Sequence, residues 1–302
     1  MSSIAYVTDP KMIEYHRLCG NRTINFWRLS SQKRFSDFRK GDLLFFYTRS
    51  AKGKRKGFVG YAHYESSQKM SLRSMWNKYG RNNGYDSKEQ LEEAVRKASR
   101  DGQIPAEMSC LTLKDVVFFI SPVYPEDAGI QISPQLESYC YLDQEDPQAT
   151  VRILQLAEKI GIDVWSTAQS YESESIFRED EIRHRLAQIN RIIGNASRSR
   201  KEDQKARSLA REFVKNDGWE MIRSSQTDCL RITGDKVTIA IPFVHQVKNR
   251  DERRIELFGR IALYKLYIAK TGLDLGTLRF EAIQADEDQP DIIQLLEEFN
   301  HE

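Results

Sequence analysis

This chain is poor in the residues that most often carry chemistry by themselves. It holds four cysteines in 302 residues, and Cys19, Cys110, Cys140 and Cys229 form no C-x-x-C pair. Their spacing argues against a zinc site and a disulfide framework and points to a reducing compartment, the cytoplasm. The five histidines (His16, His63, His184, His245, His301) stand in unrelated contexts, with no two at metal-ligand spacing. No run approaches the roughly 18 apolar residues of a membrane helix, and residues 1–9 have no signal-peptide layout, so no membrane partner is expected. No Gly-rich phosphate loop precedes a helix, which argues against an NTPase. Internal repeats and low-complexity segments are likewise missing.

What is present is unevenly distributed. The chain carries a net charge of +2, yet residues 28–81 hold 14 Lys/Arg against three Asp/Glu. Ten aromatic residues, from Phe35 to Tyr79, are threaded through the same stretch. A basic surface that carries aromatics suits a polyanion with stackable bases. A solvated basic loop beside aromatic core strands is the plainer reading of the same pattern. Residues 82–147 reverse the sign, with 13 acids against five basic residues, and residues 284–302 hold seven acids and no Lys or Arg. Such asymmetry describes partners and not folds.

With 40% hydrophobic and 30% charged residues, the chain reads as soluble and globular, long enough for two domains. Its first half reads as strands with inserted helices. Residues 4–8 and 24–29 are short strands, and 35–39 is a helical turn leading to the Lys40-Gly41-Asp42 turn signal. Residues 43–48 (LLFFYT) are almost wholly apolar, which implies burial on both faces. The polar segment 49–56 then reads as an exposed hairpin loop, and 57–65 as the return strand, with Gly60 marking a bulge or close backbone approach. Trp76 falls in a polar loop, 87–100 in an amphipathic helix and 111–121 in a buried strand.

The string Phe38-Arg39-Lys40-Gly41-Asp42-Leu43-Leu44-Phe45-Phe46-Tyr47, followed by Gly57-Phe58-Val59-Gly60-Tyr61-Ala62, resembles the central signature of EVE domains. These belong to the PUA-like superfamily, with the YTH and ASCH folds. The likeness covers residues 1–165; it departs from the family in lacking a tryptophan-rich opening and in the long insertion at 66–110. It implies a small closed β-barrel whose mouth holds one extruded, often modified base between aromatic walls. Trp27, Trp76, Tyr47 and Tyr79 are the candidates for those walls. Asn25 and Ser30 are the candidates to donate to a base edge, and Arg28, Arg49, Lys52, Lys54, Arg55, Lys56, Lys78 and Arg81 to hold phosphates. One of Phe26 and Trp27 must face the core, so Trp27 has a purely structural alternative. Everting a base costs a few kcal/mol, which stacking at about 1–3 kcal/mol and edge hydrogen bonds can offset.

Residues 150–160 and 179–193 show helical spacing, and Gly194 supplies a helix stop. From Lys201 onward the order reads helix, three strands, helix, strand, helix. That αβββαβα order resembles the core of the PD-(D/E)xK nuclease superfamily, where paired acids hold Mg²⁺ and a lysine orients the attacking water. Asp228 stands for the first acid and metal ligand, Gln246 and Lys248 for the acid-x-Lys element, and Glu212 for an additional carboxylate. Glutamine in place of the acid, and Pro242 inside the third strand, depart from the pattern. A degenerate relative kept for binding or assembly, and an unrelated α/β domain with ordinary surface residues, stay open beside the enzyme.

The expected fold is α+β in two domains: a PUA-like β-barrel with inserted helices over 1–165, a helical linker over 166–200, and a restriction-endonuclease-like domain over 201–302. The expected function is reading of a modified base in DNA or RNA, coupled to Mg²⁺-dependent cleavage in restriction or phage defence. The alternative is a non-catalytic reader whose C-terminal domain forms a homodimer or docks a partner.

Overall fold

The computed structural model describes residues 3–29, 35–49, 55–163, 175–273, 275–284 and 289–301. The chain divides into two compact units, Met1–Phe177 and Arg178–Glu302.

In the first unit the apolar run becomes β3 (Leu43–Arg49), in which Leu43, Leu44, Phe45 and Phe46 have no exposed surface. Its backbone is paired on both edges: β1 (Ile4–Val7) runs parallel to it and β4 (Lys56–Met70) antiparallel. The Lys40-Gly41-Asp42 turn docks on β4, since Gly41 donates to the Tyr64 carbonyl at 2.6 Å and Tyr64 to that of Asp42 at 2.9 Å. Gly60 sits at a register shift between β4 and β5 (Met108–Val123), where a Cβ would run into the Val117 carbonyl. With β2 (Thr23–Leu29) and β6 (Tyr139–Tyr141), the sheet order is β2-β5-β4-β3-β1-β6. Its two ends, β2 and β6, are not paired among the described residues. The sheet is open, where the resemblance implied a closed barrel.

Three local expectations change. Residues 35–39 form no helical turn. Trp76 lies not in a loop but in helix α2 (Leu72–Tyr79), which Ser71 caps by accepting from the Ser74 amide. Helix α1 (Pro10–Leu18) was not expected, although Asp9 caps it and Pro10 opens it. After α2, a short 3₁₀ turn (Gly80–Asn83) and α3 (Lys88–Ala98) complete the insertion between β4 and β5. Leu72, Met75, Leu91 and Val95 pack there against Met108 and Cys110 as a small separate core. Helix α4 (Ala149–Ile160) follows β6.

All but the first two residues of α5 (Ile176–Ile193) belong to the second unit, and its Ile182, Leu186 and Ile189 pack into that unit's core. This part of the expected linker therefore belongs to a folded body, while 166–174 lie outside the described residues. Then come α6 (Arg200–Phe213), β7 (Glu220–Met221), β8 (Cys229–Thr233), β9 (Lys236–Phe243), α7 (Arg250–Thr271), β10 (Thr277–Gln284) and α8 (Pro290–His301). The sheet order is β10-β9-β8-β7, with β9 and β10 parallel. Pro242 is tolerated in β9 because pairing with β8 ends at Ala240, so its missing N–H breaks no bond on that side. No helix among the described residues is long and apolar enough to cross a membrane.

Candidate nucleic-acid interface

Strand β2 is an edge of the first sheet, and it carries Trp27 and Arg28. Beside it, the end of β1, the start of α1, Tyr85 and α3 enclose a cavity of about 670 Å³. That volume lies within the roughly 300–1,000 Å³ of small-ligand pockets. Trp27 and Tyr85 form an aromatic wall, their rings 6.4 Å apart and inclined by 42°. Burial, with the nearby Asp9 charge, pushes the Tyr85 hydroxyl up to about 12, so it stays protonated and able to donate at neutral pH.

The indole of Trp27 is held in place from behind. Its Nε1 donates to the Asn83 carbonyl at 3.2 Å. Asn83 is fixed in turn by the Asn25 amide at 2.7 Å and by donating to the Gly80 carbonyl at 2.7 Å, and both asparagines are wholly buried. Asn25 was expected to meet a base edge. Instead it does not line the cavity and orients Trp27 through Asn83.

Two residues that line the cavity carry buried polar atoms without hydrogen-bond partners among the described residues. Thr8 is only 6% exposed and its Oγ1 has no hydrogen bond; Arg28 leaves Nε and Nη1 buried and unbonded. The Arg28 guanidinium lies 4.6 Å over the Phe35 ring. A buried donor left unmade costs about 1–3 kcal/mol, more when charged, so acceptors supplied by a ligand would be favoured here. Lys11 and Lys97 also line the cavity, opposed by Asp9 and Glu93.

The other expected wall residues do not line the cavity with Trp27, which itself packs, like Tyr85, against the small core of the insertion. Tyr47 is 5% exposed and packs on Phe58 at 5.4 Å in the sheet interior. Trp76 packs against the small core of the insertion, as does Tyr79, whose hydroxyl meets Gln68 Nε2 at 2.5 Å and Thr112 Oγ1 at 2.8 Å. Tyr85 was missed: it follows Gly84 at a positive-φ turn, inside the acidic stretch where charge points away from an anion site.

The basic candidates are dispersed. Arg49 faces Lys56 at the β3–β4 end and is exposed. Lys56 donates to the Leu136 carbonyl at 3.3 Å, and Arg55 lies 4.3 Å over Tyr124 and 3.2 Å from the Glu126 carboxylate. Lys78 stands 5.2 Å over Tyr79, and Arg81 is 3.7 Å from Asp86. Ser30, Lys52 and Lys54 lie outside the described residues.

In the second unit the nuclease-like residues separate. Asp228 is wholly buried just before β8. Its Oδ2 accepts from Arg260 (2.7 and 2.8 Å), from the Tyr264 hydroxyl (2.7 Å) and from the Asn190 amide (3.0 Å), and Oδ1 from Thr227 (2.9 Å). Burial works against the charge on Arg260, but Asp228 and Tyr264 together, by charge and hydrogen bonding, more than offset it and the Arg260 pKa is raised. Burial, then the Asp228 charge, also raises Tyr264. Gln246 and Lys248 are exposed at the 3₁₀ turn Val247–Asn249, where the Gln246 amide donates to Asn249 Oδ1 at 2.8 Å. Glu212 is exposed and paired with Lys215 at 2.6 Å. The register sets Cys229 against Ala240, so Asp228 falls well short of Gln246. Mg²⁺ needs several oxygen ligands around one point. This donor set does not fit it, and among the described residues no three His, Cys, Asp or Glu are grouped to hold a metal ion.

No family model matches the chain, and no curated protein matches it. Solved structures similar to part of it include the ASCH protein from Zymomonas mobilis, at 14% identity over 49% of this chain and 93% of that one, with a TM-score of 0.34. A mutant form of the same protein gives 16% identity over 50% and 97%, with a TM-score of 0.36. A hypothetical protein from Leishmania major gives 12% over 53% and 96%, with a TM-score of 0.32.

The first unit thus combines a stacking wall, an unbonded guanidinium and a buried hydroxyl around one cavity. Chemically this suits a flat ring bearing hydrogen-bond acceptors.

Proposed function

We propose that the first unit is a PUA-like nucleic-acid-binding unit whose cavity takes one extruded base, modified or plain, from DNA or RNA. The observation that carries this reading is the juxtaposition of Trp27 and Tyr85 with the unpartnered Arg28 and Thr8 groups on one cavity. The aromatic wall stacks the ring, while Arg28 and Thr8 meet its polar edge or the adjoining phosphate. The dispersed cations of residues 28–81 supply a salt-sensitive background to binding. The second unit serves as a scaffold and not as a Mg²⁺-dependent nuclease, because Asp228 is consumed by Arg260, Tyr264 and Asn190.

The test is fluorescence anisotropy of the full chain with labelled single-stranded DNA and RNA oligonucleotides, each with and without a modified base. Trp27→Ala and Tyr85→Ala are each expected to weaken binding by about 5- to 150-fold, the equivalent of one stacked base at roughly 1–3 kcal/mol. Unaltered affinity in both variants ends the reading. Incubation with Mg²⁺ and modified or plain plasmid is expected to leave the DNA intact; cleavage lost in Asp228→Ala or Lys248→Ala would restore the enzyme.

A further inference from the structure

Helix α7 offers a second surface, which base binding does not use. Its inner face is set by Leu257, Ile261, Tyr264 and Ile268, all buried in the core of the second unit. A solvated outer face is normally polar. Here it is not: Ile255 is 70% exposed, Leu266 48% and Leu263 39%. Gly259, Ala262 and Ala269 are exposed as well. Ile255, Gly259, Ala262, Leu266 and Ala269 recur at alternating intervals of four and three, the rhythm of a seam between two helices.

Gly259 adds a steric argument. Nothing stands within 4 Å of where its Cβ would be, so no contact inside this chain requires glycine. A glycine inside a helix is less favourable than alanine by about 1 kcal/mol. On an exposed seam it leaves a notch into which another helix can settle closely.

At the amino end Arg250, Arg253 and Arg254 are engaged by Asp291, by Glu202 with Glu256, and by Asp251, which leaves Glu252 as the acid open to a partner, with Lys270 at the other end. Asp251 and Glu252 are exposed at the amino end, and Glu252 makes no ion pair among the described residues. Lys270 is exposed at the carboxyl end, 5.4 Å from the Tyr267 ring. A parallel copy would set acid against acid and lysine against lysine. An antiparallel copy matches each end with its complement.

We propose that this face docks a second copy of the chain, forming an antiparallel α7–α7 pair about a two-fold axis that passes between Gly259 and Ala262. That register sets Gly259 against the partner's Ala262 and Ile255 against the partner's Leu266. It also brings Glu252 to the partner's Lys270. The surface is self-complementary, as a two-fold interface requires. The inference is independent of the base-binding reading.

Sedimentation equilibrium of the full chain tests it. The native protein is expected to reach dimer mass at high micromolar concentration, and Leu266→Glu and Ile255→Glu to lose the dimer while keeping the native melting curve, since both side chains are exposed. A monomer at every concentration, or a dimer that both variants retain, overturns the proposal. Register is read separately in a Cys19→Ser background, which removes the exposed thiol. Mixed Ile255→Cys and Leu266→Cys chains should form a disulfide with each other, and either variant alone should not. Equal cross-linking of a single variant, or none in the mixture, also overturns it. Leu266→Glu leaves Trp27-dependent oligonucleotide binding unchanged, so failure here is distinct from failure of the base reading.

Discussion

Asp228 and Arg260 meet inside the core of the second unit through one carboxylate oxygen, Oδ2, which lies 2.7 Å from Nη2 and 2.8 Å from Nε. Both side chains are almost completely buried. Removing one member of such a pair strands the other charge away from water, at a cost of about 3–5 kcal/mol. Asp228→Ala is therefore expected to lower the unfolding free energy of the second unit by that amount in urea titrations. Gln246→Ala and Lys248→Ala, exposed at the 3₁₀ turn, are expected to change it by less than about 0.5 kcal/mol. A stable Asp228→Ala protein, together with a native melting temperature raised by Mg²⁺, would speak for a metal ligand instead.

Arg28 offers two adjacent unbonded nitrogens, Nε and Nη1, at the cavity. The Nε and Nη1 donors point to different sides of the guanidinium, so they reach two separate acceptors, which an ammonium cannot do from one position. Arg28→Gln is expected to cost about 1–3 kcal/mol of oligonucleotide affinity, and Arg28→Lys to recover little of it. Because the contact is to a base, the slope of affinity against salt should stay as in the native protein. Arg55→Gln should have a small effect, since Arg55 already faces Glu126 at 3.2 Å. Titrations across several salt concentrations separate these outcomes, and native affinity in Arg28→Lys would remove the need for two guanidinium donors.

The parts of the fold legible in the sequence are those where burial leaves a local pattern. β3 could be read because burial on both faces demands an unbroken apolar run, and α7 because its core face repeats with helical spacing. Helix α1 escaped because it buries only Met12, Ile13 and His16, too few to make a stripe, although Asp9 and Pro10 mark its start. Trp76 read as a loop residue because α2 buries only Leu72 and Met75 in an otherwise polar segment. At the cavity, Trp27 was found from its aromatic strand, while Tyr85 arrives through a turn that local pattern cannot aim. The partners of Asp228 were invisible for a further reason: Arg260 and Tyr264 lie 32 and 36 residues away. Only the packing of α7 on the sheet brings them together.

Gly60 marks the point where β4 approaches β5 most closely. An added Cβ would meet the Val117 carbonyl and press on the Phe118 backbone, neither of which can swing away as a side chain tip would. Gly60→Ala is expected to destabilise the first unit by about 1–3 kcal/mol through overpacking. Gly102→Ala makes a useful comparison, since nothing lies within 4 Å of its Cβ position and its cost comes from a positive φ of 69°. Thermal melts of the two variants should show the larger loss in Gly60→Ala only if the steric argument holds.

His16 gives the first unit a pH dependence. The ring is wholly buried, the Asn21 amide lies 3.0 Å from Nδ1, and burial lowers the pKa from 6.5 to about 4. Between those values the folded protein holds the ring neutral, whereas the unfolded chain takes up a proton. The stability is therefore complete above about pH 6.5 and declines as the pH falls, by about 3 kcal/mol on reaching about pH 4. His16→Gln keeps a polar group facing Asn21 but cannot titrate. The difference in unfolding free energy between native protein and variant should therefore shrink as the pH is lowered from about 7 to about 5, whatever the carboxylates shared by both proteins are doing. A difference that stays constant over this interval would mean that the imidazole takes up its proton equally well in the folded and unfolded chain.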